Sequence, residues 1–212
     1  ENLYRKLFKN GQPISGQDIR QFRPMKKILT TEEQISKLQE AMTLAEQAAK
    51  SQDIATRLGA LVLNAGMVDF YVIQAARLFE QIILKGQLAQ GKTPTFNPSP
   101  DTHFYDHKIS TGGILKGMRK LLPFNGTDTS TVSKINELAN NMIDIGFQFL
   151  DCRNPIVHHI GNPTKEFKNI VQLCDQANKK YLKFQTAHKE FMELAAPYRF
   201  GQKEMEHFYG NG

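Results

Sequence analysis

Residues 54–84 read IATRLGALVLNAGMVDFYVIQAARLFEQIIL. Within them Leu61, Ala65, Val68, Val72, Ala75, Phe79 and Ile82 recur at alternating steps of four and three, the spacing of one helix face. Such a seam packs along a long antiparallel neighbour or along a second copy of the chain, and both readings stand at this point. Asp53 is placed to cap the helix, and Ala55, Gly59, Ala60 and Gly66 are small enough for close helix approach. The stretch is also the most apolar in the chain, but Arg57, Asp69, Arg77 and Glu80 interrupt it. No run of about 18 uncharged apolar residues remains, so no membrane span is expected.

Working outward, the same periodicity recurs on both sides. Upstream, Thr30 and Thr31 followed by Glu33 and Gln34 form a capping-box pattern, and Ile35, Leu38, Met42 and Ala45 give the next apolar face, to about Lys50. Downstream, Gly86, Gly91, Pro94, Pro98, Pro100, Gly112 and Gly113 predict an irregular connection over 86–112. A short basic helix follows over 114–122 and ends at Pro123 and Gly126. Thr129 or Ser130 opens a further helix carrying Val132, Ile135, Ala139, Met142, Gly146 and Phe149. The last long helix spans about 164–196, with Phe167, Ile170, Cys174, Ala177, Tyr181, Phe184, His188 and Phe191 inward, and stops at Pro197. Nothing alternates with period two over a useful length. The predicted fold is all-α: a bundle of about five helices, the long ones antiparallel, over residues 30–197, with an arm at 1–29 and a tail at 198–212.

Composition narrows the class. The 212 residues are 40% hydrophobic, which suits one domain with an extension, and mean hydropathy is −0.44. Net charge is +6, and residues 1–30 carry seven basic residues against Glu1 and Asp18, a balance of +5 that leaves +1 for the remainder. A nearly neutral body therefore bears a basic arm, which fits an anionic partner, nucleic acid foremost. Only Cys152 and Cys174 are present, too few for a disulfide framework or a four-cysteine zinc site. Arg5, Lys6 and Lys9 are not followed by an apolar run, so no secretory signal is expected and the cytoplasm is the default location.

The stretch richest in chemistry is Asp151-Cys152-Arg153-Asn154-Pro155-Ile156-Val157-His158-His159. Arg153 falls seven residues after Gly146 and four after Phe149, so it continues the apolar stripe, where a guanidinium needs a partner. Pro155 removes an amide donor and clashes with the Asp151 carbonyl, so the helix either kinks there or restarts with Asn154 as its cap. On a straight helix Arg153 and His158 lie about 140° apart; a kink or restart would bring them to one cleft. A plainer reading pairs Arg153 with Asp151 and leaves the histidine to packing.

Arg153-Asn154 followed by His158, in an all-α chain and between two long helices, resembles the motif of the HEPN superfamily of helical nucleases: an arginine, a polar residue, and a histidine after four intervening residues. The resemblance extends to the helix order over about 31–196. It implies a metal-independent endoribonuclease of single-stranded RNA whose active site is composed across a homodimer. In such a site His158 would move the proton, Arg153 would hold the scissile phosphate, and Asn154 would orient either; His159 would support them. No cofactor or metal is implied. Many members are toxins or antiviral-defence effectors held by an antitoxin or other regulatory partner. In one branch a tyrosine two residues after the histidine is modified; Ile160 occupies that position here.

Other groups offer less. Lys108, Lys116, Arg119 and Lys120 could contact RNA phosphates, and Phe104 and Tyr105 could stack a base. His103 and His107, flanked by Asp101 and Asp106, have a spacing that zinc accepts but lack the glutamate of the HExxH pattern. Gly112 and Gly117 bracket a phosphate-loop spacing, yet Met118 and Arg119 stand where Lys and Ser or Thr are required. Both cysteines read as packing residues. The competing functional class is a non-catalytic helical module that binds nucleic acid or an acidic protein.

Overall fold

The computed structural model describes residues 8–9, 12–13, 31–93, 110–125, 129–159 and 170–209. Backbone packing separates Glu1–Glu40 from Ala41–Gly212. The first unit holds β1 (Phe8–Lys9) and β2 (Gln12–Pro13), an antiparallel pair with Phe8 opposite Pro13, and the opening turns of α1 (Thr31–Ala49). The other regular elements described are all helices, as the apolar periodicity predicts.

The second unit is built around α2 (Ile54–Ala89), a 36-residue helix. Asp53 caps it: its Oδ2 accepts from the Thr56 amide at 2.7 Å and from the Thr56 hydroxyl at 2.6 Å. Those bonds hold the Asp53 carboxyl below its usual range. The helix runs past the point where the sequence predicts a break, because Gly86 is buried inside it. A Cβ there would meet the Asn125 carbonyl at 2.9 Å. The chain leaves α2 at Gly91, whose φ of 66° costs a glycine nothing.

Next comes α3 (Thr111–Lys120). It starts three residues before the predicted 114, since Ser110 Oγ accepts from the Gly113 amide at 3.2 Å and caps the glycine pair into the first turn. After it, Asn136 fixes the buried Phe124 through a 2.7 Å bond from the Phe124 amide and a 3.1 Å bond to its carbonyl. Asn136 belongs to α4 (Thr129–His159), which continues without restart through Pro155. α5 (Ile170–Leu194) runs antiparallel beside it: Lys180 reaches Gln148, and Phe184 lies against Gly146. A 3₁₀ turn at Ala196–Tyr198 leads to α6 (Gln202–Tyr209), a helix absent from the sequence reading. Lys85 on α2 ties this end down, donating to the Arg199 carbonyl at 2.8 Å and approaching Glu204 at 3.4 Å.

The core settles which partner the α2 seam has. Leu61, Val68, Val72, Ala75, Phe79 and Ile82 are buried within the unit itself, against α5 and α3. Phe79, Phe149, Phe184 and Phe191 are fully enclosed; truncating such a ring typically costs about 3–5 kcal/mol. Three helices cross at Gly146, where a Cβ would stand 3.0 Å from Leu115 and 3.2 Å from Phe184. Between α2 and α5 lies a polar layer in which Arg57 pairs with Asp175 and Asn64 Nδ2 donates to Asn178 Oδ1 at 3.2 Å.

By length and composition alone α2 is apolar enough to cross a membrane despite Arg57, Asp69, Arg77 and Glu80, but 44% of its most apolar window is buried inside the unit, and a core helix meets the same criterion. The opposite face of the helix leaves Val62, Leu63 and Phe70 exposed.

Candidate functional site

Asp151 to His159 belong to α4 without interruption, so the candidate motif is part of a helix and not of a loop. Asn154 lies inside the helix and is no cap, which corrects one sequence alternative; the intact helix accommodates Pro155 by forgoing one backbone donor. Ile156 is buried and anchors this end of α4 to the core. Arg153, as the stripe predicts, is half-buried. Its Nη1 donates to Asn154 Oδ1 at 3.1 Å. Its Nε is buried and has no hydrogen-bond partner among the described residues. Asp151 is exposed and does not pair with it among the described residues. The guanidinium is therefore held at one corner by an amide, and its Nε donor is unmatched among the described residues.

The side chains of His158 and His159 lie outside the described residues; their backbones complete the last turn of α4. Lys108, His103, Phe104, Tyr105, His107 and Ile160 lie outside them too. Of the other tentative contacts, Lys116 and Lys120 are exposed on α3. Arg119 is already engaged, paired with Asp144 and stacked 5.3 Å above the Phe147 ring. Among the described residues no three His, Cys, Asp or Glu side chains converge as a metal site would need.

Two further features, the first beside the motif and the second away from it, were not singled out as functional from the sequence. On the α5 side of Cys152, a groove of about 420 Å³ is lined by Gln176, Lys179, Lys180, Leu182 and Lys183. Burial pushes the Cys152 thiol up, with Lys180 opposing and Asp151 adding, so it is a packing thiol at neutral pH. The second feature is His188, which faces a groove of about 450 Å³ beside Gln74 and Gln185. Its ring lies 4.6 Å from that of Tyr71, and burial pulls its pKa down to about 4, so it is neutral at pH 7. Nearby Tyr181 is pushed up to about 12, chiefly by burial. The histidine's periodicity places it on the apolar face; its burial is the reason it does not titrate normally.

No protein-family model, no curated protein and no solved structure gives a significant match to the chain.

Proposed function

We propose that the chain is a metal-independent endoribonuclease of single-stranded RNA, working as a homodimer with Arg153 and His158 as its catalytic residues. The carrying observation is Arg153: a half-buried guanidinium, held by Asn154, with its buried Nε unmatched among the described residues, on the helix that also bears His158. Burying such a group is costly unless something anionic completes its hydrogen bonds, and a phosphate does so in the geometry arginine prefers.

In the reaction, the RNA 2′-hydroxyl attacks the adjacent phosphorus while its proton passes to a neutral imidazole. The P–O5′ bond breaks, and the leaving oxygen takes a proton from an imidazolium. The products are a 2′,3′-cyclic phosphate and a 5′-hydroxyl. A histidine with an ordinary pKa near 6.5 is populated in both forms near neutrality and can fill either role. Arg153 holds the non-bridging oxygens as their charge grows. A straight helix would set Arg153 and His158 about 140° apart with a rise of about 7.5 Å, and the resemblance brings two copies of the motif together across a dimer axis. The reading therefore assigns Arg153 of one copy to work with His158 of the second. It implies a cytoplasmic effector of the toxin or defence type, restrained by a regulatory protein.

The test is incubation of purified protein with single-stranded RNA in EDTA, with analysis of the product ends. Cyclic phosphate ends that vanish in His158→Ala support the reading; cleavage that needs a divalent metal, or that survives His158→Ala, ends it. The lysines of α5 favour a second reading, a nucleic-acid-binding module without turnover, whose mark is binding by the wild type with no cleavage.

A further inference from the structure

α5 divides by charge. Its acidic residues sit near its ends, and each of the outer ones is accounted for: Asp175 pairs with Arg57, and Glu193 lies 3.8 Å from Lys189. Between Gln176 and His188 there is no carboxylate, and that stretch holds Lys179, Lys180 and Lys183. Lys179 and Lys183 are exposed and one helical turn apart, about 6 Å along the axis. Lys180 turns toward α4 and donates to Gln148 at 2.5 Å. Together they wall the groove of about 420 Å³ whose α4 side is Cys152, the residue before Arg153. Leu182, 42% exposed, lies among them. On α4 the nearest carboxylates do not neutralise the row: Asp144 is paired with Arg119, and Asp151 makes no ion pair with these lysines among the described residues.

We infer that the Lys179–Lys180–Lys183 face of α5 is a phosphate track for single-stranded nucleic acid, leading the strand to Arg153. A row of cations without interleaved acids is what a polyphosphate backbone selects. A groove with an exposed leucine and lysine stems as its walls gives an unpaired base an apolar surface to rest on, which a membrane headgroup would not require. The inference rests on the ribonuclease reading only for its direction toward Arg153; capture of the strand stands by itself.

The experiment is fluorescence anisotropy of a labelled single-stranded RNA oligonucleotide against the full chain at several salt concentrations, with cleavage followed in parallel. Lys179→Glu/Lys183→Glu should weaken binding at low salt by roughly tenfold or more, and neutralising both with Gln should flatten the log–log salt slope by about 1.4, at about 0.7 per phosphate contact on a single strand. Circular dichroism should show the helix content unchanged, because both side chains are exposed. Lys134→Glu/Lys189→Glu makes the same change in net charge elsewhere and should leave affinity within about twofold. Equal weakening by the two pairs, or none by the first, overturns the track. So does loss of binding to phosphatidylserine vesicles in the first variant while RNA binding persists. Wild-type protein that binds through these lysines yet never cleaves keeps the track and removes the nuclease; cleavage unaffected by the first variant does the reverse.

Discussion

Among the described residues Arg153 gives a hydrogen bond to its neighbour Asn154, Nη1 to Oδ1 at 3.1 Å, while its buried Nε gives none. A bond between consecutive helical residues positions the guanidinium without satisfying it. Asn154→Asp would replace the amide by a carboxylate at the same spot and close the site electrostatically. RNA cleavage should then fall by about 10²-fold or more, with thermal stability unchanged or higher. Arg153→Lys should lose a comparable factor, because an ammonium keeps the charge but not the fork. A kinetic comparison of the two with wild type checks both.

Two glycines make opposite predictions. Gly66 on α2 has nothing within 4 Å of where a Cβ would be, so Gly66→Ala should stabilise by about 0.5–1 kcal/mol through helix propensity. Gly146 has Leu115 at 3.0 Å and Phe184 at 3.2 Å, both fully buried, so Gly146→Ala should destabilise by about 1–2 kcal/mol despite the same propensity gain. Denaturant midpoints of the pair distinguish them.

Asp175→Asn should leave Arg57, whose side chain is 12% exposed, without its counter-charge. The expected loss is about 1–2 kcal/mol, since Asp175 itself is half-exposed and water compensates in part. A double-mutant cycle with Arg57→Met should recover most of it.

Acid stability is governed in part by His188. Its folded pKa of about 4 lies below the ordinary 6.5, so the unfolded chain binds more protons in that window. Stability should therefore fall as pH drops from about 6.5 to about 4, by at most about 3 kcal/mol, and this group adds no further loss below. His188→Phe, which keeps the stacking on Tyr71, should flatten that segment of the urea-midpoint profile.

Much of this architecture is legible in the residues alone. The apolar steps of α2, α4 and α5 mark their inward faces, and every residue of the α2 seam except the half-buried Ala65 is in the core. Whether that seam met its own chain or a second copy was not legible, because periodicity reports a face and not its partner. Gly112 and Gly113 read as breakers until the Ser110 cap shows them recruited into α3. α6 is hidden behind Pro197, a genuine stop for α5 after which a two-turn helix has too short a pattern to register. In the candidate site, the half-burial of Arg153 follows from its place in the stripe. The spare Nε and the lysine row of α5 do not, since both depend on what lies across the helix.

The most direct test mixes two inactive proteins. Arg153→Ala and His158→Ala are each purified, unfolded and refolded together, and assayed on single-stranded RNA in EDTA for 2′,3′-cyclic phosphate ends. If each site joins Arg153 of one copy to His158 of the other, random pairing puts one intact site in half of the dimers, and activity should return to roughly a quarter of wild type. A mixture as inactive as its components, beside an active wild type, would contradict the shared site.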